Sequence, residues 1–533
     1  MKKKRILSVL SVILGCLLLF ACTTANNTQA TESGSAESAD PNVSAEAPES
    51  GFTVGEQPEG AGQPPQGMPE PPQGWSGEGQ PPAPPEGTGN PPQGEPPQGG
   101  PGGQPPQGEP PQGGPGGQPP QGGPGGPGGS AADVSYTAAT EITAAETQSG
   151  KTYSSTAANE NALLIATSDA VAIENPTVAK TGDSSGGDAC NFYGLNAGVL
   201  CKDGAQVTIT GGTVETSASG ANGVFCYGGN GGRNGAAGDG TTVTISDTVI
   251  TTTGSGSGGI MTTGGGKTIA NNLTITTSGQ SSAPIRTDRG GGTVLVDGGT
   301  YTSNGVGSPA IYSTADITVA NAVLTSNLSE GVVIEGKNSV KLENCTLTAN
   351  NTQRNSNASF LDSIMLYQSM SGDADSGTAQ FSMTGGSLLS KSGHVFHVTN
   401  TNAVIELEAV AITNEDAADV LLSVCADGWS GAKNIATLRA SKQTLSGTIL
   451  VGSDSALTLE LSDGSALTGA ISGDITNAKG ETVSSEVGTV HVTLDGTSTW
   501  TLTADTDITS FSGDLSSIAA NGHALYVNGE KVL

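Results

Sequence analysis

Residues 207–216 read VTITGGTVET, two short alternating strands joined by a Gly-Gly turn. The alternation places Val207 and Ile209 on one face of the first strand and the threonines on the other. The same four-residue pattern begins again at Val243, Val294, Ile317, Val340, Phe381, Ile405, Leu457 and Val490. This recurrence at a short spacing indicates an array of repeated structural units.

Each repeat holds two further strands. The second follows a break of two or three residues, as at Thr213, Leu273, Thr300 and Thr346, and a third follows a polar loop, as at Gly198, Gly223, Gly259, Pro284, Ala310 and Val332. A unit of three strands and three turns therefore occupies roughly 22 to 26 residues. One such rung cannot bury its apolar face alone, so we expect about 12 rungs to stack around a core of Val, Ile and Leu, giving a rod of ~55–60 Å.

This pattern resembles the right-handed parallel β-helix of pectin-lyase-like proteins, and more closely that of adhesin-like, Thr- and Gly-rich surface lipoproteins of Gram-positive bacteria. The resemblance covers about Tyr136 to Leu533 and implies an all-β, three-sided β-solenoid over residues 131–533. The denser aromatic residues after about 489 predict a C-terminal cap over 489–533. A pair of stacked β-sandwiches is the alternative fold, since Asn-Gly hairpin signals occur at Asn222, Asn304 and Asn521.

The N-terminus is typical of an exported lipoprotein. Lys2 to Arg5 are basic, Ile6 to Phe20 are apolar, and Ala21-Cys22 follow. This spacing resembles a bacterial lipobox, which implies a signal peptide over residues 1–21, lipidation of Cys22 and a location on the extracellular face of the cell membrane. Cys16 is a rival lipid acceptor, and an ordinary secretory signal is the other alternative.

Residues 22–130 have the composition of a linker. Of the 29 prolines in the 533-residue chain, 26 lie between Pro41 and Pro127, and no Lys or Arg occurs between Ile6 and Gly129. Such a Pro-, Gly- and Gln-rich segment cannot bury a core, so we predict a disordered spacer with local polyproline II structure. A Pro-rich docking motif is the alternative interpretation.

The charge balance excludes one class of partner. The chain has 20 Lys and Arg against 50 Asp and Glu, a formal net charge of −30. Nucleic-acid binding depends on Lys and Arg at phosphates, so we expect no nucleic-acid partner.

Arg286, Asp288 and Arg289 are the candidate binding residues. Residues 285–289 read IRTDR and hold two of the five arginines that follow residue 130. If Ile285 points inward, Arg286 points outward, and Asp288 and Arg289 fall at the next turn. The resemblance implies that an arginine acts as the base and acidic residues hold calcium in lyases of this fold, which makes this segment a candidate contact for an anionic sugar. The alternative is a solvated ion pair of little energetic value.

Other chemical motifs are weak. Pectin hydrolases with the β-helix fold carry Asn-Thr-Asp, Asp-Asp and Gly-His-Gly patterns. In this sequence Val395 follows Gly393-His394 and no Asp-Asp dipeptide occurs, which argues against hydrolase activity. His394 and His397 lie three apart on one strand, so we expect them on opposite faces. Acidic loops could hold calcium, but no EF-hand spacing is present. No cofactor is otherwise implied, and no catalytic residue is assigned.

Two further residue sets allow alternative interpretations. Cys201 and Cys226 occupy equivalent rung positions and should stack, either as thiols or as a disulfide. Outward threonines such as Thr208, Thr244 and Thr274 form arrays of the kind that bind ice in some β-solenoids. Lys341 and Glu406 interrupt the predicted array, so β-propensity is the simpler explanation for the threonines.

Together these features predict a lipid-anchored surface rod that binds a polysaccharide or another cell without catalysis. Its specificity would lie in exposed turns or insertions such as Gly228 to Gly240 or Asn351 to Ser363. The alternative is a polysaccharide lyase or hydrolase acting on an anionic glycan such as a polyuronate. The acidic body would repel a polyuronate unless calcium bridged the two, which favours the first hypothesis.

Overall fold

A computed structural model describes residues 134–231, 237–355, 357–429 and 431–533. The signal peptide predicted over 1–21, Cys22, and the linker predicted over 22–130 lie outside these residues. The described chain is almost entirely β, with one α-helix, Asp188–Tyr193, and one 3-10 turn, Leu515–Ser517. None of its helices is long and apolar enough to cross a membrane.

Three parallel sheets run along this body, and successive strands of the chain enter them in turn. The first sheet consists of Ala138–Ile142, Asn161–Ala166, Val199–Lys202, Val224–Tyr227, Ile260–Thr263, Ile285–Thr287, Ile311–Ser313, Val332–Glu335, Asp362–Tyr367, His394–Thr399, Val420–Val424, Thr448–Val451 and Ile471–Ser472. The second consists of Glu146–Ser149, Ala170–Glu174, Gln206–Thr210, Thr242–Ser246, Gly266–Asn271, Gly292–Asp297, Asp316–Ala320, Ser339–Glu343, Thr378–Thr384, Asn402–Glu408, Asn434–Ser441, Ser455–Ser462, Thr489–Leu494 and Ser510–Ser512. The third consists of Thr152–Ser155, Thr177–Lys180, Thr213–Thr216, Val249–Thr252, Thr274–Thr277, Thr300–Ser303, Val323–Ser326, Thr346–Ala349, Ser387–Ser390 and Ala411–Asn414.

The core lies inside the three sheets. Equivalent residues of successive rungs stack on one another, as Val207 on Val243 and Ile209 on Ile245. These side chains are buried, whereas the threonines between them face outward. Because most strands of the second and third sheets alternate in this way, the inward Val, Ile and Leu side chains of the three sheets form one continuous cluster along the stack. The predicted all-β, three-sided parallel β-helix is therefore confirmed, and the alternative of stacked sandwiches is wrong.

A two-residue turn joins each second-sheet strand to the following third-sheet strand. The first turn residue has a positive φ, as at Asn175 (48°), Gly211 (67°), Asn272 (53°) and Asn344 (52°). Asn, Asp and Gly tolerate this left-handed conformation better than other residues. The residues of these turns therefore give this corner the same length and backbone conformation in successive rungs.

Long insertions occur at the other two corners, which border the first sheet. They comprise 181–198 and 350–361 between the third and first sheets, and 228–241, 368–377, 425–433 and 473–488 between the first and second. Several of them pack on the outer face of the first sheet, as described below. These insertions therefore cover part of the outer face of the first sheet. The third sheet, in contrast, has the short two-residue corner along one of its sides.

The stack continues into the predicted C-terminal cap region. Thr489–Leu494 pairs in parallel with Ser455–Ser462, and Thr499–Thr501 joins a four-stranded sheet with Thr444–Ser446, Ala466–Thr468 and Ile518–Ala519. The remaining strands form a hairpin, Asp474–Thr476 with Thr482–Ser485, and a terminal sheet of Thr506–Ile508, Leu525–Val527 and Glu530–Lys531. The last two strands pair antiparallel, which ends the parallel stack.

Candidate functional site

Arg286 and Asp288 form an ion pair on the outer face of the first sheet. Arg286 stacks between Met261 and Tyr312 in the strand register. Its Nη2 atom donates a hydrogen bond to Asp288 Oδ2 at 3.0 Å, and its Nη1 atom donates to the Ser281 carbonyl oxygen at 3.0 Å. The side chains of Arg286 and Asp288 are 11% and 8% exposed, so this pair is not the fully solvated pair considered above.

Arg289 pairs with a residue from a distant insertion. Its Nε and Nη2 atoms donate to Asp373 Oδ1 at 3.0 and 2.5 Å. The guanidinium carbon lies 4.0 Å from the centroid of the Phe192 ring, at the end of the only α-helix in the described chain. Insertions 181–198 and 368–377 therefore both contact Arg289, one of the predicted binding residues.

Asp288 has an unusual ionisation equilibrium for a carboxyl group. Burial raises its pKa to about 7, and the nearby negative charges of Asp373 and Glu335 also raise it, while Arg286 lowers it. The backbone N–H of Arg289 donates to Asp288 Oδ1 at 3.0 Å, which orients the carboxyl. A group with this pKa changes charge near neutral pH.

Glu335 extends the polar cluster toward the next rungs. Its Oε2 atom accepts hydrogen bonds from Tyr312 Oη at 2.5 Å and from Tyr367 Oη at 3.0 Å, and Ser369 donates to Oε1. Burial and the carboxylate of Glu335 raise the pKa of both tyrosines well above the usual value, so both phenols stay protonated donors. Trp429, from insertion 425–433, packs edge-on against Tyr367 with 4.9 Å between centroids.

The cluster comprises Arg286, Asp288, Arg289, Tyr312, Glu335, Tyr367 and Asp373, and we call it the arginine–acid cluster. Sequence reasoning missed the last four of these residues. The repeat pattern could have suggested Tyr312 and Glu335, because their strands were recognised as equivalent to that of Arg286. Nothing in the sequence indicates that Asp373 folds back onto Arg289. Asp297, the next acid after Asp288 in the sequence, instead lies on the second sheet and accepts a hydrogen bond from Asn321 at 2.7 Å.

A second polar cluster lies further along the same face. The Ser423 Oγ atom is 2.7 Å from the Nδ1 atoms of both His394 and His397. His397 Nε2 lies 3.4 Å from Asp427 Oδ2, and the ring of Phe360 packs against both imidazoles. Burial and the neighbouring ring of His397 lower the pKa of His394 to about 3, so this imidazole is neutral near pH 7.

The expectation that His394 and His397 face opposite sides is wrong. Val395 and Phe396 are consecutive residues, yet both belong to the inner core. The register of this strand with its neighbour pairs Asp362 with His394 and Ile364 with Phe396, without a pair between them. The alternation is therefore interrupted, and His394 lies on the same outer side as His397. Ser423, His397 and Asp427 thus form a chain like a catalytic triad. Solvent does not reach it, because Ser423 and His397 are both fully buried.

The described cysteines are buried free thiols. Cys201 and Cys226 stack in the register of the first sheet, as predicted, and of the two alternatives the structure has thiols. Burial raises the pKa of both groups, which makes them poor nucleophiles.

No cluster of three or more His, Cys, Asp or Glu side chains suited to holding a metal occurs within residues 134–231, 237–355, 357–429 and 431–533. Comparisons with other proteins give no further assignment. No family model, no curated protein and no solved structure matches this chain.

Proposed function

We propose that this chain is a lipid-anchored protein of the extracellular cell surface whose β-helix binds a polysaccharide without catalysis, through the arginine–acid cluster. One observation carries the proposal. Two neighbouring arginine–carboxylate pairs lie at the outer face of the first sheet, and the side chains of Arg286, Asp288, Arg289 and Asp373 are 8–18% exposed. Such preorganised planar groups suit hydrogen bonding to sugar hydroxyls.

The charge state of the cluster favours binding over lyase chemistry. Arg289 is paired with the Asp373 carboxylate at 2.5 Å, and Arg286 is paired at 3.0 Å with Asp288, which is ionised in only part of the molecules at neutral pH. A guanidinium that is neutralised in this way has little capacity to neutralise a uronate in a transition state. The residues after 130 carry 38 acids against 16 bases, a net charge of −22 that repels a polyanion. A neutral polysaccharide is therefore the best ligand for this cluster.

A lyase or hydrolase acting on an anionic glycan is the second candidate. The observation in its favour is Asp288, because a carboxyl with a pKa of about 7 can accept or release a proton at neutral pH. Arg286 lies within hydrogen-bonding distance of it. In that function Asp288 would be the proton-transfer group and Arg286 would contact the sugar carboxylate.

The lipid anchor and the spacer belong to the same proposal. Their support is the sequence alone: the Ala21-Cys22 junction after an apolar segment, and the Pro-rich stretch up to Pro127. A spacer of this kind would hold the rod away from the membrane. Metabolic labelling with a radioactive fatty acid tests it: wild type should carry the label and Cys22→Ala should not. Label that persists in Cys22→Ala would assign lipidation elsewhere, for which Cys16→Ala is the comparison.

The experiment on binding measures the affinity of the full chain for a panel of soluble neutral and anionic polysaccharides. We expect binding to a soluble neutral polysaccharide, no new ultraviolet-absorbing product from any anionic one, and at least about tenfold weaker binding by Arg286→Gln. Arg439→Gln is the matched control, because Arg439 also holds two carboxylates, Glu406 and Glu460, but on the second sheet. Unsaturated products that disappear in Asp288→Asn would establish the second candidate instead. Equal binding by both arginine variants would overturn the proposed site.

A further inference from the structure

The outer face of the third sheet carries a regular array of uncharged β-branched residues. Five central strands form the array. The first outward residue is a threonine in three of them (Thr274, Thr300, Thr346) and a valine in the other two (Val249, Val323). The third position of all five strands is threonine, from Thr251 to Thr348. We call this surface the threonine strip.

The strip is more regular than the sequence suggested. Each of the ten strands of the sheet pairs with its neighbour in parallel, and no pairing has a register shift. Lys341 and Glu406, which were expected to interrupt the threonines, lie on the second sheet. Glu215 is the only charged side chain at the outward positions of the third sheet's strands, at one end of the strip. The side chains repeat at ~4.8 Å along the stack and at ~6.6 Å across it.

The strip is also open. Val249 and Val323 are 44% exposed, and the first-position threonines are exposed as well. The constant two-residue corner borders the strip on one side, so no insertion arises there. Five strands of four residues present about 300 Å² of surface.

We propose that the threonine strip binds the ordered surface of a neutral polysaccharide, as a site independent of the arginine–acid cluster. The first argument is charge. The strip is uncharged on a body with a net charge of −22, so neither a cation nor an anion gains a complementary partner there. A second copy of the chain would bring two strongly negative bodies together, which repulsion opposes.

The second argument is chemical. Each outward threonine presents a hydroxyl that donates and accepts hydrogen bonds, next to a methyl group. The surface of an ordered polysaccharide likewise alternates hydroxyls with apolar C–H faces. Threonine and valine side chains have few rotamers, so little conformational entropy is lost when they are covered.

The third argument is repetition. A single threonine contact is weak, but a ligand that repeats along its own length can contact several rungs at once. A short, freely tumbling oligosaccharide cannot. The strip therefore predicts strong retention on ordered, insoluble material and weak binding of soluble oligomers.

The test is co-sedimentation of the full chain with microcrystalline cellulose and crystalline chitin. The variant Thr274→Lys, Thr300→Lys, Thr346→Lys should lose at least about tenfold in retention on the material that binds wild type. The control carries Thr208→Lys, Thr244→Lys and Thr318→Lys, which occupy one outward column of the second sheet, and should be retained like wild type. The lysine variant should still bind a soluble neutral polysaccharide as wild type does, which separates this site from the arginine–acid cluster.

A second variant keeps the test valid if the lysines disturb folding. Thr274→Val, Thr300→Val, Thr346→Val removes three hydroxyls with little change of shape and should reduce retention several-fold. Wild-type retention of both strip variants would overturn the proposal. Two other results would also overturn it: inhibited growth of ice crystals without retention on either polysaccharide, or dimerisation that the lysine variant abolishes, again without retention.

Discussion

Asp373 Oδ1 lies 2.5 Å from Nη2 of Arg289, a residue 84 positions earlier in the chain. The pair fastens insertion 368–377 to the outer face of the first sheet, close to the ion pair of Arg286 and Asp288. Both side chains are largely buried, at 18% and 15% exposure, so neither can simply be resolvated when its partner is removed.

We therefore predict that Asp373→Ala lowers the free energy of unfolding by about 1–3 kcal/mol, because Arg289 loses its charged hydrogen-bond partner. The insertion should also become more sensitive to protease. Asp375→Ala is the control on the same insertion, since Asp375 pairs with Lys337 at a more exposed position, with 30% and 44% exposure. Urea denaturation should detect a large effect for the first variant and almost none for the second. Equal losses of unfolding free energy in the two variants would contradict the conclusion that the Arg289–Asp373 pair holds this insertion in place.

The raised pKa of Asp288 predicts a specific dependence of stability on pH. In the folded state this carboxyl has a pKa of about 7, and in the unfolded chain it has an ordinary value near 3.9. The folded state therefore binds the proton more tightly, and the contribution of Asp288 to stability falls as pH rises from about 4 to 7. Asp288→Asn should remove that slope. Thermal melts of wild type, Asp288→Asn and the control Asp297→Asn across this range measure it, and parallel curves for wild type and Asp288→Asn would refute it.

His394 should act in the opposite direction. Its folded pKa of about 3 lies below the value of about 6.5 expected in the unfolded chain, so the unfolded state binds the proton more tightly. The contribution of His394 to stability is present above about pH 6.5 and is lost as pH falls toward 3. His394→Gln should flatten this part of the profile, whereas His491→Gln, on an exposed position of the second sheet, should not. NMR titration of the His394 imidazole in the folded protein gives a direct check: a midpoint near 6.5 would be incompatible with burial.

Close packing at the constant corner predicts a large cost for one glycine substitution. Gly212 has a φ of 77°, and a Cβ atom there would lie 2.2 Å from the carbonyl oxygen of Pro176 on the preceding rung. Gly464 has the same φ, but a Cβ atom there would meet nothing within 4 Å. Gly464→Ala should cost about 1 kcal/mol of backbone strain, whereas Gly212→Ala should cost at least about 2 kcal/mol more, because the rungs must separate. Similar unfolding midpoints for the two variants would show that the corner relaxes.

The repeat was readable in the sequence because its cause is local. Most strands of the second and third sheets alternate apolar and polar residues, and Asn, Asp or Gly marks most two-residue corners, so VTITGGTVET at 207–216 already indicates the rung. The pairing of Arg286 with Asp288 was readable for the same reason, since both lie in one short segment. In most strands, alternation also predicted which side chains point outward. The strand His394–Thr399 is an exception, because Val395 and Phe396 both point inward.

What the sequence did not contain is the relation between rungs and insertions. Asp373 and Asp427 reach the first sheet from insertions that follow no period, so only the folded chain brings them to Arg289 and His397. Residues with the same alternation also belong to different faces: Thr208 and Lys341 lie on the second sheet, and Thr274 lies on the third. A period of two determines inside and outside for each strand, but only stacking in register decides which outward side chains share a surface, and therefore where this protein can bind.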